Sequence, residues 1–90
     1  MRQITHSIIK AQFCKHIIVT RHRYQWTKHK MAEALDMDDR SYADIESGES
    51  ACSATTLVLF LVLVLKEEGE QIEFLVELRK QILKHWEEIV

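Results

Sequence analysis

The stretch Trp26-Thr-Lys-His-Lys-Met-Ala-Glu-Ala-Leu35-Asp-Met-Asp-Asp-Arg-Ser-Tyr-Ala-Asp-Ile45-Glu-Ser-Gly-Glu49 decides how this chain folds. Thr27 stands where a helix N-cap is expected, its hydroxyl able to accept from a backbone N–H that has no partner inside the helix. A short helix from Lys28 to Leu35 then places Met31, Ala32 and Leu35 on one inward stripe. The chain breaks at Asp36-Met37. Asp38 repeats the capping chemistry, and another short helix, from Asp39 to about Glu46, turns Tyr42 and Ile45 inward. Gly48 falls just past its end, where a left-handed residue often closes a helix.

Longer helices are expected on either side. Thr5 can cap a first helix that runs to about Tyr24, on which Ile9, Phe13, Ile17, Thr20 and Tyr24 recur at three- and four-residue spacing. Lys10, Lys15, Arg21 and Arg23 lie largely off that stripe, and the chain turns through Gln25-Trp26. Downstream, Ser53 can cap a fourth helix through Lys66, which Gly69 would end. Apolar residues cover nearly every side of it, including Leu59 and Val62 away from Phe60 and Val64, and a helix of that kind is expected to be buried all round. The segment from Glu70 to Val90 is amphipathic, with Ile72, Leu75, Val76, Ile82, Leu83, Trp86 and Ile89 on a broad apolar face. No strand pattern, internal repeat or low-complexity stretch interrupts this order, so the chain is expected to be all-α.

Composition agrees with a single small domain. Ninety residues lie near the lower end of what buries a self-sufficient core. There is no proline, and the two glycines, Gly48 and Gly69, leave few breaks between helices. Cys14 and Cys52 have no metal-ligand spacing and are expected to be buried thiols of a cytosolic protein. The run Leu57 to Leu65 is far shorter than the roughly 18–20 apolar residues a bilayer requires. No continuous apolar segment followed by a small-residue cleavage site marks a secretory signal near Met1. The net charge is −2, yet Met1 to Leu35 carries Arg2, Lys10, Lys15, Arg21, Arg23, Lys28 and Lys30 against Glu33 alone. A basic N-terminal third on an acidic whole is the distribution of a face aimed at a polyanion, or of an ordinary solvated helix surface.

The segment quoted above resembles the helix-turn-helix of the repressor/Cro family of bacterial and phage transcriptional regulators. That family typically reads L-S-Q-x-x-L-A-x-x-L-G-V-S-x-x-x-I-S-x-I-E-x-G. Thr27, Met31, Ala32, Leu35, Met37, Tyr42, Ile45, Glu46 and Gly48 fall on its fixed positions without a gap. With Arg21 upstream and the Ser53 helix downstream, the likeness covers roughly residues 13–66. It implies a compact five-helix, lambda-repressor-like domain: residues 1–68 the helix-turn-helix unit, residues 69–90 a long C-terminal helix packed on it. It also implies an ion pair between Arg21 and Glu46, joining the first and third helices.

The function implied is sequence-specific binding of double-stranded DNA by a cytoplasmic regulator, a repressor working as a homodimer on a pseudo-palindromic operator. Base reading falls to Arg40, Ser41, Asp39 and Asp44 on the third helix, with Lys28 at the start of the second. Arg40 can give two hydrogen bonds to guanine, and Asp39 or Asp44 can accept from a cytosine amino group. Thr27, Lys28 and Lys30 stand at a helix N-terminus, where backbone N–H groups suit a phosphate. No cofactor or metal is implied.

Two copies would read half-sites roughly 34 Å apart. The surplus of apolar surface on the last two helices points to Leu59, Val62, Leu75, Leu83 and Trp86 as the dimer interface; the alternative is that the fifth helix simply covers the fourth within one subunit. One departure from the family matters. Asp38, Asp39 and Asp44 stand where members often carry Gln, Ser, Thr or Lys, and the following loop is Glu49-Ser-Ala-Cys52 where a basic one is common. Weak nonspecific binding with a shallow salt dependence is therefore expected. The alternative is a protein-interaction module that gives its acidic third helix to a protein partner. Catalysis is not expected, because His6, His16, His22, His29 and His85 are scattered without acid or cysteine partners at a catalytic spacing.

Overall fold

Three of the helices start on the capping oxygen that their sequence supplies. Thr27 Oγ1 accepts from the Lys30 N–H at 3.1 Å, Asp38 Oδ1 from the Ser41 N–H at 2.7 Å, and Ser53 Oγ from the Thr56 N–H at 3.1 Å. The computed structural model describes residues 2–85, with side chains from Thr5 onward. In chain order the helices are α1 (Arg2–Arg23), α2 (Lys28–Ala34), α3 (Asp39–Glu46), α4 (Ala54–Leu59) and α5 (Glu68–Lys84). α4 passes without a break into a π-helical turn over Phe60–Val64. The fold is all-α, with no strand among the described residues.

The turns between the short helices depend on left-handed backbone. After α2, Asp36 has φ +56°, and the Asp36 and Met37 N–H groups return to the carbonyls of Glu33 and Ala32 at 3.1 and 3.0 Å. An aspartate tolerates this conformation better than most residues, because its short side chain can bond locally. After α3, Gly48 takes φ +85°, and the Glu49 N–H reaches the Asp44 carbonyl at 2.9 Å. Carbonyls left over at both helix ends are satisfied in this way.

The helices close on one apolar core, to which α4 adds only the half-buried Leu57 and Leu59 at the margin. Phe13 and Ile17 come from α1, Met31 and Ala32 from α2, Leu35 from its C-cap, Tyr42 and Ile45 from α3, Phe60 and Val64 from the π-helical turn, Leu65 from just beyond it, and Phe74 from α5. Phe60 is the hub. Its ring meets Phe13 edge-on at 5.2 Å and Phe74 at 5.6 Å between centroids, joining the first, fourth and fifth helices. Burying each such side chain contributes roughly 1.5–3 kcal/mol. On α1 the stripe expected from spacing holds: Phe13, Ile17 and Thr20 are buried, and Ile9 and Tyr24 half-buried.

Three expectations need correction. First, α1 begins at Arg2, so Thr5 lies inside the helix and does not cap it. Second, the fourth helix does not run to Lys66. Gln71 Nε2 donates to the carbonyls of Leu61 and Leu65 at 3.0 and 3.3 Å, taking oxygens from the widened π-helical turn, and Leu65 is already extended. Gly69 does not end that helix but lies within α5, which starts earlier because the Glu70 carboxylate accepts from the Glu67 N–H at 3.3 Å. Third, the fourth helix is not buried all round. Val58, Val62 and Leu63 are 55, 64 and 63% exposed, since no other described element lies over that side.

On α5 the core residue and the apolar stripe are separate. Its residue in the core is Phe74, whereas Ile72, Leu75, Val76 and Leu83 are 46–51% exposed. At 100° per residue the buried and exposed sets lie on opposite sides of the helix. Glu70, Gln71 and Glu77 share the inner side with Phe74, where Glu70 and Gln71 satisfy polar groups of other elements. Trp86 and Ile89 fall outside the described residues. No helix among the described residues is long and apolar enough to cross a membrane.

Candidate nucleic-acid interface

The position of α3 is set from both ends and from beneath. Tyr42 and Ile45 anchor its inner face in the core. At its C-terminal end Arg21 of α1 holds Glu46: Nε donates to Oε2 at 3.0 Å and NH2 to Oε1 at 2.9 Å. Arg21 NH1 also donates to the Trp26 carbonyl at 3.2 Å, so one guanidinium ties α1, the α1–α2 turn and α3 together. The ion pair expected from the resemblance is present. Burial works to raise the Glu46 carboxyl's pKa, but hydrogen bonding to Arg21 and its charge outweigh this and hold it below the usual carboxylate range. Cys14 Sγ adds a bond to the Glu46 carbonyl at 3.2 Å, an anchor with no local sequence signal.

With its core face fixed, α3 turns Asp39, Arg40 and Ser41 to solvent in its first turn. Arg40 makes no ion pair among the described residues. Asp44 is only half-buried rather than open, and its carbonyl accepts from Ser47 Oγ, the Glu49 N–H and the Ser50 N–H. At the start of α2, Thr27, Lys28 and Lys30 are all exposed. The Thr27 hydroxyl oxygen already serves as a cap acceptor, which leaves its proton for an outside group. Lys30 Nζ lies 5.7 Å from the Trp26 ring centroid and Lys66 Nζ 5.6 Å from it, so the half-buried indole holds two ammonium groups nearby. This clustering of Lys66 with the residues before α2 crosses forty positions of sequence and has no local motif.

No family model, curated protein or solved structure matches this chain.

One contact on this face was not anticipated. His29 Nδ1 is 2.8 Å from Asp39 Oδ1, and its Nε2 is 3.7 Å from Glu33 Oε2. The Glu33 contact is an i, i+4 neighbour visible in the sequence, whereas the Asp39 contact requires knowing how α2 and α3 cross. Hydrogen bonding to Asp39 and the charge of that carboxylate raise the His29 pKa above its usual value. Asp38 is held below its usual value by the Ser41 N–H it caps. Apart from Asp44, which lies toward the far end of α3, the residues named for base reading and phosphate contact occupy two neighbouring helix starts, with three carboxylates, Glu33, Asp38 and Asp39, placed among the bases.

The residues named for self-association divide. Val62, Leu75 and Leu83 are exposed, Leu59 is half-buried against the core, and Trp86 lies outside the described residues. Both cysteines are free and half-buried, not fully buried. Among the described residues, no group of three or more His, Cys, Asp or Glu side chains could hold a metal ion.

Proposed function

We propose that this chain is a sequence-specific DNA-binding regulator of the repressor/Cro type, with α3 entering the major groove. The observation that carries the reading is the placement of Arg40: exposed, unpaired among the described residues, and in the first turn of a short helix whose other face is locked by Tyr42, Ile45 and Glu46. A guanidinium held there can meet guanine O6 and N7 with two hydrogen bonds. Lys28 and Lys30, exposed at the start of α2, suit the flanking phosphate. Asp39, Ser41 and Asp44 then tune which bases are accepted. A repressor in a bacterial or phage cytoplasm is the setting that fits the resemblance.

A homodimer belongs to the same proposal. One short helix in a groove gives limited affinity, and the half-exposed row of Ile72, Leu75, Val76 and Leu83 on α5 is an apolar face that a second copy can cover. The acidic character of the α3 side, with Asp38, Asp39, Asp44 and Glu49, favours a second reading in which the same scaffold docks on a protein. Selection from random duplexes, followed by titration of the recovered sequence at two salt concentrations, separates the two. DNA binding by this face predicts an enriched sequence, and an Arg40→Ala loss of about 1–3 kcal/mol that relaxes preference at one base pair. Failure to enrich any sequence ends the DNA reading in favour of the protein partner.

A further inference from the structure

We propose that His29 is a positioning residue for DNA recognition, acting through Asp39 and setting the charge that the start of α3 presents to the phosphates. The inference rests on the DNA reading above and adds its regulation by pH. It stands on the geometry of a three-membered cluster. The His29 ring lies between two carboxylates, Nδ1 2.8 Å from Asp39 Oδ1 on α3 and Nε2 3.7 Å from Glu33 Oε2 on its own helix. The groups that face it from the two packed elements are these two acids, with Lys28 and Lys30 adjoining it on α2. All three side chains of the cluster are well exposed, at 68–70%, so the ring exchanges protons with solvent freely.

The consequence follows from counting charge on this face. Lys28, Lys30 and Arg40 supply the positive charges, and Glu33, Asp38 and Asp39 the negative ones. Lys66 beside Trp26, Asp44 toward the end of α3 and Glu49 beyond it stand outside these two sets, and protonation of His29 adds one positive charge where the sets meet. With a neutral ring, Nδ1 or Nε2 can donate to one carboxylate at a time, and both acids keep their full charge toward an incoming polyanion. With a protonated ring Nδ1 donates to Asp39, Nε2 carries its proton within ion-pair distance of Glu33, and the face gains a unit of positive charge. Asp39 is then fixed by Oδ1, leaving Oδ2 for a base amino group, and no longer repels the phosphates unopposed. DNA, being a polyanion, favours the same protonated form, so binding takes up a proton.

The test uses the full chain and the duplex recovered by selection from random sequence. Its affinity is measured at about pH 6 and about pH 8, on either side of an ordinary histidine. The wild type is expected to bind about five- to tenfold more tightly at the lower pH, the worth of one added charge near about 0.1 M salt. H29Q is expected to bind at the weaker level with a flat profile, and H29K at the tighter level with a flat profile. D39N should lower the His29 titration midpoint read by NMR and move the pH dependence of binding down with it. Far-UV circular dichroism at both pH values checks that each variant stays folded. The other histidines are unchanged in H29Q, so a profile like the wild type's in that variant overturns the proposal. An unchanged midpoint in D39N overturns it without any DNA present. Binding with a flat wild-type profile sinks the role of His29 alone, while no binding at either pH, by the wild type or H29K, sinks the DNA reading and this inference with it.

Discussion

Arg21 and Glu46 meet in a two-pronged ion pair, 2.9 and 3.0 Å across, with side chains only 12 and 10% exposed. It joins the last turn of α1 to the end of α3 over twenty-five positions of sequence. Parallel N–H···O bonds of this kind fix orientation as well as distance, which a lysine's single ammonium cannot do. Arg21→Ala or Glu46→Gln should cost about 1.5–3 kcal/mol, because each leaves a poorly solvated partner behind. Arg21→Lys should recover less than half of that loss. Urea unfolding of the two single variants and the double variant measures the coupling. Additive losses would mean that the two side chains do not support each other.

The same pair contributes an acid-sensitive stability. Glu46 titrates below its ordinary value of 4.5 in the folded chain. Below that ordinary value the unfolded chain takes up the proton first, so stability present above it is lost as pH falls through the lower, folded value. Glu46→Gln should flatten this part of the profile, leaving the contribution of other carboxylates.

A second and separate window belongs to His16. Its ring packs edge-on against Phe74 at 4.9 Å, and its Nε2 is buried without a hydrogen-bond partner. Burial and the neighbouring Lys15 lower its pKa from 6.5, although Glu73 and Glu77 of α5 pull the other way. The folded chain therefore resists protonation that the unfolded chain accepts. Stability should begin to fall as pH drops below the ordinary histidine value, before any carboxylate titrates. His16→Met should remove this first step and keep the lower one. The raised His29 value acts with the opposite sign in the same window, so thermal melts compare the two chains, and a His16→Met profile that matches the wild type there would exclude the role.

The short helices were readable because their signals are local. Thr27, Asp38 and Ser53 each bond a backbone N–H three residues on, and Gly48 has the left-handed backbone its place suggested. Even the long-range Arg21–Glu46 contact came through, carried by the resemblance and not by spacing. The all-round burial expected of the fourth helix fails, and the core residue of α5 is not singled out by its sequence, for one physical reason. Both are apolar on two sides, and periodicity shows that an apolar side exists without showing which one meets the core. On α5 the stronger stripe, Ile72, Leu75, Val76 and Leu83, is the exposed one, while the core takes the single ring of Phe74. The His29–Asp39 contact was out of reach for a related reason: it depends on how α2 crosses α3.

Asp36 offers a test of backbone strain in the α2–α3 turn. Its φ of +56° is costly for a residue with a Cβ and nearly free for glycine. The side chain is exposed, so its replacement removes no core contact. Asp36→Gly should stabilise the fold by about 0.5–1 kcal/mol, the relief of strain exceeding glycine's added freedom when unfolded. Asp36→Val, branched at Cβ, should cost at least as much. Chemical denaturation of both variants reads the sign directly, and a destabilised glycine variant would show that the turn is not strained.

The outer face of α5 can be separated from the core by comparing substitutions on its two sides. Phe74→Ala removes a ring that is 1% exposed and should cost about 3–5 kcal/mol, enough to unfold much of a domain this small. Leu75 and Leu83 are 50 and 49% exposed, so Leu75→Glu with Leu83→Glu should leave the helical content and melting midpoint of the monomer close to wild type. If the face pairs with a second copy, sedimentation should show a dimer for the wild type that the double variant loses at the same concentration. Val62→Glu, on the π-helical turn, tests the other exposed patch by the same measurement. A wild-type monomer at micromolar concentration would remove self-association as the reason for this surface. Unfolding of the double variant as severe as that of Phe74→Ala would place Leu75 and Leu83 in the core after all.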